Sequence, residues 1–355
     1  MRELTAQDAA DAVLGGGVFA AGGGGWRQHG ELMGSLATGL GTPVLASVDE
    51  LPKDSWVATV TAIGAPAAAT WEIQPLDYVR ALQLLIEHTD HRVSAVMTAQ
   101  NGYSTTLNGW VQSAALGVKV LDAAGDVRAH PTGKLGALGL TTRPGYEAVQ
   151  TTAGGNRALH GYFEGVVRGS TMTCDDVLRD ISVRTGGFIA SARNPVELSW
   201  VREHAALGAI SLALRLGAHM RRALSEGADA VIAAVGDTIA AKELARGPLR
   251  HIVPLRTQGG FDHGTLAVGD HHVPYLNEYL AVEADDERLA SYPDTIALLS
   301  LADGRPVAIK DAADGIEVAL VVASAGDLPR SSSARDVMAL REVEEITQLS
   351  LVDYL

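Results

Sequence analysis

The sequence predicts an α/β protein, with a parallel-type α/β domain first and then a domain of helices and mixed or antiparallel β-sheet. Three observations carry this. Between residues 42 and 125, β-branched runs alternate with helical stretches, the mark of a parallel sheet with helices packed on it. From residue 249 the pattern becomes apolar/polar alternation around glycine turns, as in an antiparallel meander. A chain of 355 residues is also long enough for two cores.

The elements follow in order. Thr5 opens "TAQDAADAVLGGG" with Asp8 three positions on, a capping box whose helix is expected to end at Gly15–Gly17. A second helix is expected in "ELMGSLATGL" from Glu31. "TPVLASV" and "SWVATVTAIGAP" read as strands, the latter ended by Gly64 and Pro66. "PLDYVRALQLLIEHT" is a helix with Pro75 near its start, followed by strand "VSAVMTA", helix "TTLNGWVQSAALG" and strand "VKVLDAAG". The loops 64–66, 100–104 and 122–128 each follow a strand, where α/β folds gather ligands.

"AGGN" then reads as a hairpin turn, and a helix is expected over Thr173–Arg184. "NPVELSWVREHAALGAISLALRLGAHMRRALSEG" reads as helical throughout, with a break near Gly208. The meander follows, then "TIALLSLADGRPV" and "IEVALVVASA" as strands joined by an Asp-Gly turn, and a terminal helix after "SSSARDV". The expected domains are 1–170, 171–330 and a helical tail, 331–355.

Composition bounds the function. Hydrophobic residues make up 47% and charged residues 20%, an ordinary globular balance. The net charge of -14 excludes the basic surface that a nucleic-acid partner requires. No apolar run is long enough to span a membrane, and no secretory signal is expected. Cys174 is the only cysteine, so no internal disulfide forms and a cytoplasmic location is expected. A small-molecule substrate and a homo-oligomer are the expected partners.

The run Gly22–Gly25 is the strongest local feature. It fits neither a dinucleotide fingerprint nor a phosphate loop, since a helix precedes it and no Lys-Ser/Thr follows. A linker fits poorly beside Val18, Phe19, Trp26 and Leu32, which call for burial. A tight loop with uncovered amides, able to hold an oxyanion, is the functional reading, and a structural turn the plain one.

"LNEYL" places Asn277 and Glu278 inside an apolar strand, where a polar group must be paired or functional. Asp122 ends a strand, with Asp126, Arg128 and His130 beyond it. Arg128 reads either as a clamp for a substrate carboxylate or as an ion-pair partner of these acids. "FDHGTLAVGDHH" offers His263, His271 and His272 as ligands for a divalent metal, or as polar residues on a solvent face. Cys174 stands at a helix start, but with no local histidine it reads as a small buried hydrophobe.

The ordered series "LTAQDAADAVLGGGVFAAGGGGW", "AIGAP", "LDAAGDVRA", "TGGFIA", "RTQGGFDHGTL", "LNEYL" and "YPDTIALLSLADGRPV" resembles the S-methyl thiohydantoin desulfurase family, over about residues 3 to 326. The resemblance implies an enzyme that hydrolyses or desulfurises a small cyclic amide or thioamide such as a hydantoin or thiohydantoin ring. It implies that Gly22–Gly25 line the pocket, and Gly64, Asp122, Arg128, Asn277 and Glu278 match its pattern; the expected substrate-binding residues are thus Gly22, Gly23, Gly24, Gly25, Gly64, Gln100 and Asn277, and the expected catalytic ones Asp122, Glu278 and Arg128. It also implies acids where this chain has Gln100, Ala124 and Thr132, and an asparagine at Thr105. These departures admit a diverged member with another reaction, a biosynthetic lyase or cyclase, or a non-catalytic ligand-binding subunit.

Overall fold

A computed structural model describes residues 1–355. The capping box forms as expected, with the Thr5 and Asp8 side chains each accepting from the other's backbone N–H, and it starts α1 (Ala6–Phe19). The helix does not end at Gly15–Gly17 but runs through them. The reason is a close crossing with a later helix: Gly15 faces the Ala213 carbonyl and the Gly217 amide, and Gly217 in turn faces the Asp11 backbone. Side chains there would hold the two helices apart.

The short β1 (Arg2–Glu3) precedes α1, and after it come α2 (Arg27–Leu40), β2 (Val44–Ala46), β3 (Trp56–Gly64), α3 (Pro75–Glu87), β4 (Val93–Gln100), α4 (Trp110–Leu116) and β5 (Lys119–Asp126). Strands β2–β5 pair in parallel in the order β2-β5-β4-β3. The predicted hairpin forms as β6 (Ala148–Gly154) and β7 (Phe163–Gly169), and α5 (Thr171–Arg184) follows, capped by Ser170.

The segment after α5 departs from the all-helical expectation. It begins with β8 (Phe188–Glu197), which enters the first sheet antiparallel between β3 and β6. Pro195, which reads as a strand breaker, is accommodated by a bulge. The register shifts between the Val57–Val196 and Thr59–Arg193 pairs, and Asn194 there takes φ 53°. Helix α6 (Leu198–His204), the short β9 (Ala206–Leu207), α7 (Ala209–Ala223) and α8 (Ala228–Ile239) complete this half. Helix α7 is the one that crosses α1, and the Arg221–Asp11 ion pair at 2.6 Å fastens the crossing.

The remaining strands are β10 (Lys242–Gln258), β11 (Phe261–Val268), β12 (His271–Leu276), β13 (Glu278–Tyr279), β14 (Ala281–Ala284), β15 (Glu287–Ser291), β16 (Thr295–Ser300) and β17 (Glu317–Ala323). They form the expected antiparallel sheet, in the order β15-β14-β12-β11-β10-β17-β16. Helix α9 (Val337–Thr347), capped by Asp336, lies in the expected tail. No helix is long and apolar enough to cross a membrane.

Candidate active site

The glycine run is where the two sheets meet. Carbonyls of residues 19–24 accept from four different segments: Phe19 from Ala129, Ala21 from Tyr279, Gly22 from Ile309 and Gly24 from Ser104. Each glycine then has a steric reason. A Cβ on Gly22 would meet the Tyr279 ring at 2.6 Å, and one on Gly24 the Gly102 Cα at 2.7 Å. Gly23 abuts the Glu278 carboxyl and Gly25 the Ser104 hydroxyl. Gly22, Gly24 and Gly25 also have φ between 66° and 85°, which favours glycine.

Beside this loop lies a pocket of about 40 Å³. Its walls come from Gly24 and Gly25, the carboxyl ends of β3 and β4, the loop after β5, helix α5, β8 and the β12–β13 turn. Only four of its eighteen lining residues are hydrophobic, so it suits a polar ligand. Of the sequence candidates, Gly24, Gly25, Gly64, Gln100, Asn277 and Glu278 line it.

Glu278 is 3% exposed, and its Oε2 has no hydrogen-bond partner. Burial pushes its carboxyl up to about 8; the Arg128 charge, the Gly24 backbone N–H and the Arg179 charge oppose that rise. The residue before it supplies the turn. Asn277 takes φ 58°, accepts from the Asp262 N–H at 2.8 Å, and donates its own N–H to the Asp262 carbonyl at 2.6 Å. Asp262 also binds the pocket-rim loop, accepting from the Ala67 N–H at 2.6 Å.

Three further residues complete the wall. His130 is fully enclosed, and neither ring nitrogen has a well-formed hydrogen bond. Burial lowers it to about 3, with the Arg193 charge adding to the effect, so the ring is neutral at neutral pH. Its backbone N–H donates to Gln100 Oε1 at 3.0 Å. Arg193 pairs with Asp175 at 2.6 Å and leaves its Nε free. Arg179 donates to the Gly260 and Pro131 carbonyls and stacks 4.2 Å over the Phe261 ring. The sequence signal for Arg193 was a lone charge within the small, apolar run "FIASA", where burial demands a partner.

Four expectations are corrected. Asp122 faces α7, not the pocket: its carboxylate accepts from the Ser211 N–H at 2.9 Å and hydroxyl at 2.6 Å, closing that helix's first turn. Arg128 is no free clamp, because its guanidinium is buried and donates to the Ala129, Asp294 and Tyr279 carbonyls. Two amides of the glycine loop are already engaged, Gly23 on the Ala20 carbonyl and Gly24 at Glu278, so they offer no oxyanion hole.

The histidine hairpin also separates its members. His263 pairs with Leu276 and Val268 with His271, five residues along β11, or about 17 Å. No group of three or more metal-ligating side chains gathers anywhere in the structure. Cys174 is buried, which raises its thiol, as suits a small core residue.

Two stretches match one family: residues 7–159 match the S-Me-THD-like N-terminal domain and residues 169–342 its C-terminal domain. The chain belongs to the S-Me-THD-like family. An X-ray crystal structure of a protein from Chromobacterium violaceum shares the fold, with a TM-score of 0.71 at 20% identity, covering 99% of this chain and 98% of that one. No curated protein matches.

Proposed function

We propose that the protein is an enzyme that hydrolyses or desulfurises a small hydantoin- or thiohydantoin-like ring, with Glu278 as its acid–base group. One observation carries this reading: a buried carboxyl, held protonated near neutral pH, presents an unpartnered oxygen to a polar pocket beside two arginines. Groups tuned in this way concentrate at reaction centres.

For an S-methyl thiohydantoin, water adds to the ring carbon that bears sulfur. The Glu278 proton goes to the leaving sulfur as the C–S bond breaks. One water proton goes to the ring nitrogen as water adds across the C=N bond, and the other returns to Glu278 as the ring carbonyl forms. For a cyclic amide, the ring nitrogen takes that proton as the C–N bond breaks. Arg193 and Arg179 face the negative charge that develops on oxygen, and Arg179 takes the anchoring role expected of Arg128.

The test is incubation of the protein with a set of S-methyl thiohydantoins and hydantoins, following thiol release and ring opening. Product from the wild type and none from Glu278→Gln supports the reading. Stoichiometric binding with no product identifies a ligand-binding subunit instead.

A further inference from the structure

Four polar groups in the pocket wall lack partners: Thr105 Oγ1, the ring nitrogens of His130, Arg193 Nε and Glu278 Oε2. Each belongs to a side chain no more than 5% exposed, and all four residues surround the same small void. Buried polar groups are otherwise almost always paired, so together they describe a missing ligand. Three of them can donate: a threonine hydroxyl, a guanidinium N–H and the one N–H of a neutral imidazole, which the Ala99 carbonyl also faces. The void has room for about three water-sized groups, the size of a carboxylate head.

We infer that the inner end of the pocket is a binding site for a small planar oxyanion of the carboxylate class, gripped by Arg193, Thr105 and His130, and that Glu278 must be protonated for it to bind. The inference rests on the pocket being the site, but not on turnover. The charges around Glu278 agree with it. Arg128 approaches from the loop after β5, Arg179 from α5, and Asp262 from β11. Arg193 is offset by Asp175, and Asp126 is held by the Tyr292 hydroxyl at 2.9 Å. Arg179 and Arg128 donate only to carbonyls, and with Arg193 they balance the charges of Asp175, Asp126 and Asp262, so ionising Glu278 turns the region anionic. Protonated, Glu278 is a fourth donor; ionised, it repels the ligand.

Titration calorimetry with sodium formate, at constant ionic strength, tests this. The expected dissociation constant is flat below neutral pH and rises about tenfold per pH unit above about 8. In Glu278→Gln it stays flat to pH ~9.5, because an amide N–H replaces the acid proton and cannot be lost. Thr105→Val removes a hydroxyl that has no protein partner, so the fold should persist while formate binds about tenfold more weakly. A pH-independent wild-type constant, or no saturable formate binding below neutral pH, overturns the inference. Formate binding without ring turnover leaves it standing and removes the enzymatic reading instead.

Discussion

The α-carbon of Gly23 lies directly against the carboxyl group of Glu278: a Cβ there would overlap Oε1 and stand 2.7 Å from Cδ. A glycine in the first sheet's loop thereby sets the position of a carboxyl carried by the second. Gly23→Ala must displace one or the other. It is expected to cost about 1–3 kcal/mol in urea unfolding and about 100-fold in turnover. Wild-type turnover in this variant would show that the contact does not position the acid.

Glu278 also makes stability depend on pH. Its carboxyl sits at about 8 in the folded protein against about 4.5 unfolded. Folding therefore takes up a proton between these values. This contribution is fully present below pH ~4.5 and lost as pH rises to about 8, at up to about 1.4 kcal/mol per unit. Urea midpoints at pH 5 and 8 should fall more steeply for the wild type than for Glu278→Gln. Parallel profiles would place the residue in contact with solvent.

His130 acts at the acid end with the opposite sign. It is lowered from about 6.5 to about 3, so its contribution is present above pH ~6.5 and lost as pH falls toward 3. Between pH ~4.5 and 6.5 it opposes the Glu278 slope, which leaves pH ~3–4.5 as the window free of Glu278. There, His130→Gln should lose less stability on acidification than the wild type. His29, lowered to about 4 by burial, should leave a residual slope.

The two arginines should separate by kind of effect. Arg128→Met strands the Ala129, Asp294 and Tyr279 carbonyls, and is expected to lower stability by about 3 kcal/mol or more. Arg179→Met strands only the part-buried Gly260 and Pro131 carbonyls, so it should cost less, about 1–2 kcal/mol, and raise KM about tenfold, having removed a cation from the pocket wall. An unchanged KM in the second variant removes Arg179 from the substrate's path.

Asp122→Ala provides the contrast. The carboxylate satisfies Ser211 at the start of α7, so its loss should cost about 1 kcal/mol. Turnover should be unchanged at a temperature where the variant is folded. A large loss of turnover in the folded variant would return Asp122 to the reaction.

Much of this was legible in the sequence because the signals were local. The Thr5–Asp8 box, Pro75 at the start of α3 and the β-branched runs of β3 and β4 depend on neighbours within a few residues. Glu278 was legible too, as an acid within an apolar strand. What escaped depended on distant partners. Gly15–Gly17 read as a helix end because the reasons for them lie far along the chain: α7, some 200 residues later, packs on Gly15, Gly102 on Gly16 and the Tyr103 ring on Gly17. Asn194-Pro195 read as the start of a helical segment because the strand and bulge that hold it are set by pairing with β3. Arg193, Arg179 and His130 share one wall only after β8, α5 and the loop beyond β5 have been assembled around it.

The place of β8 has a consequence for how the protein is made. The strand fills the gap between β3 and β6, so β6 and β7 reach the parallel half of the first sheet only through residues 188–197. A ribosome that has finished the first family-matching stretch, up to residue 159, has made most of that sheet but not its keystone. The nascent chain must hold β6 and β7 in waiting until β8 emerges from the exit tunnel. The same dependence means that a gene split between the two stretches should yield two insoluble halves, each recoverable only by co-expression with the other.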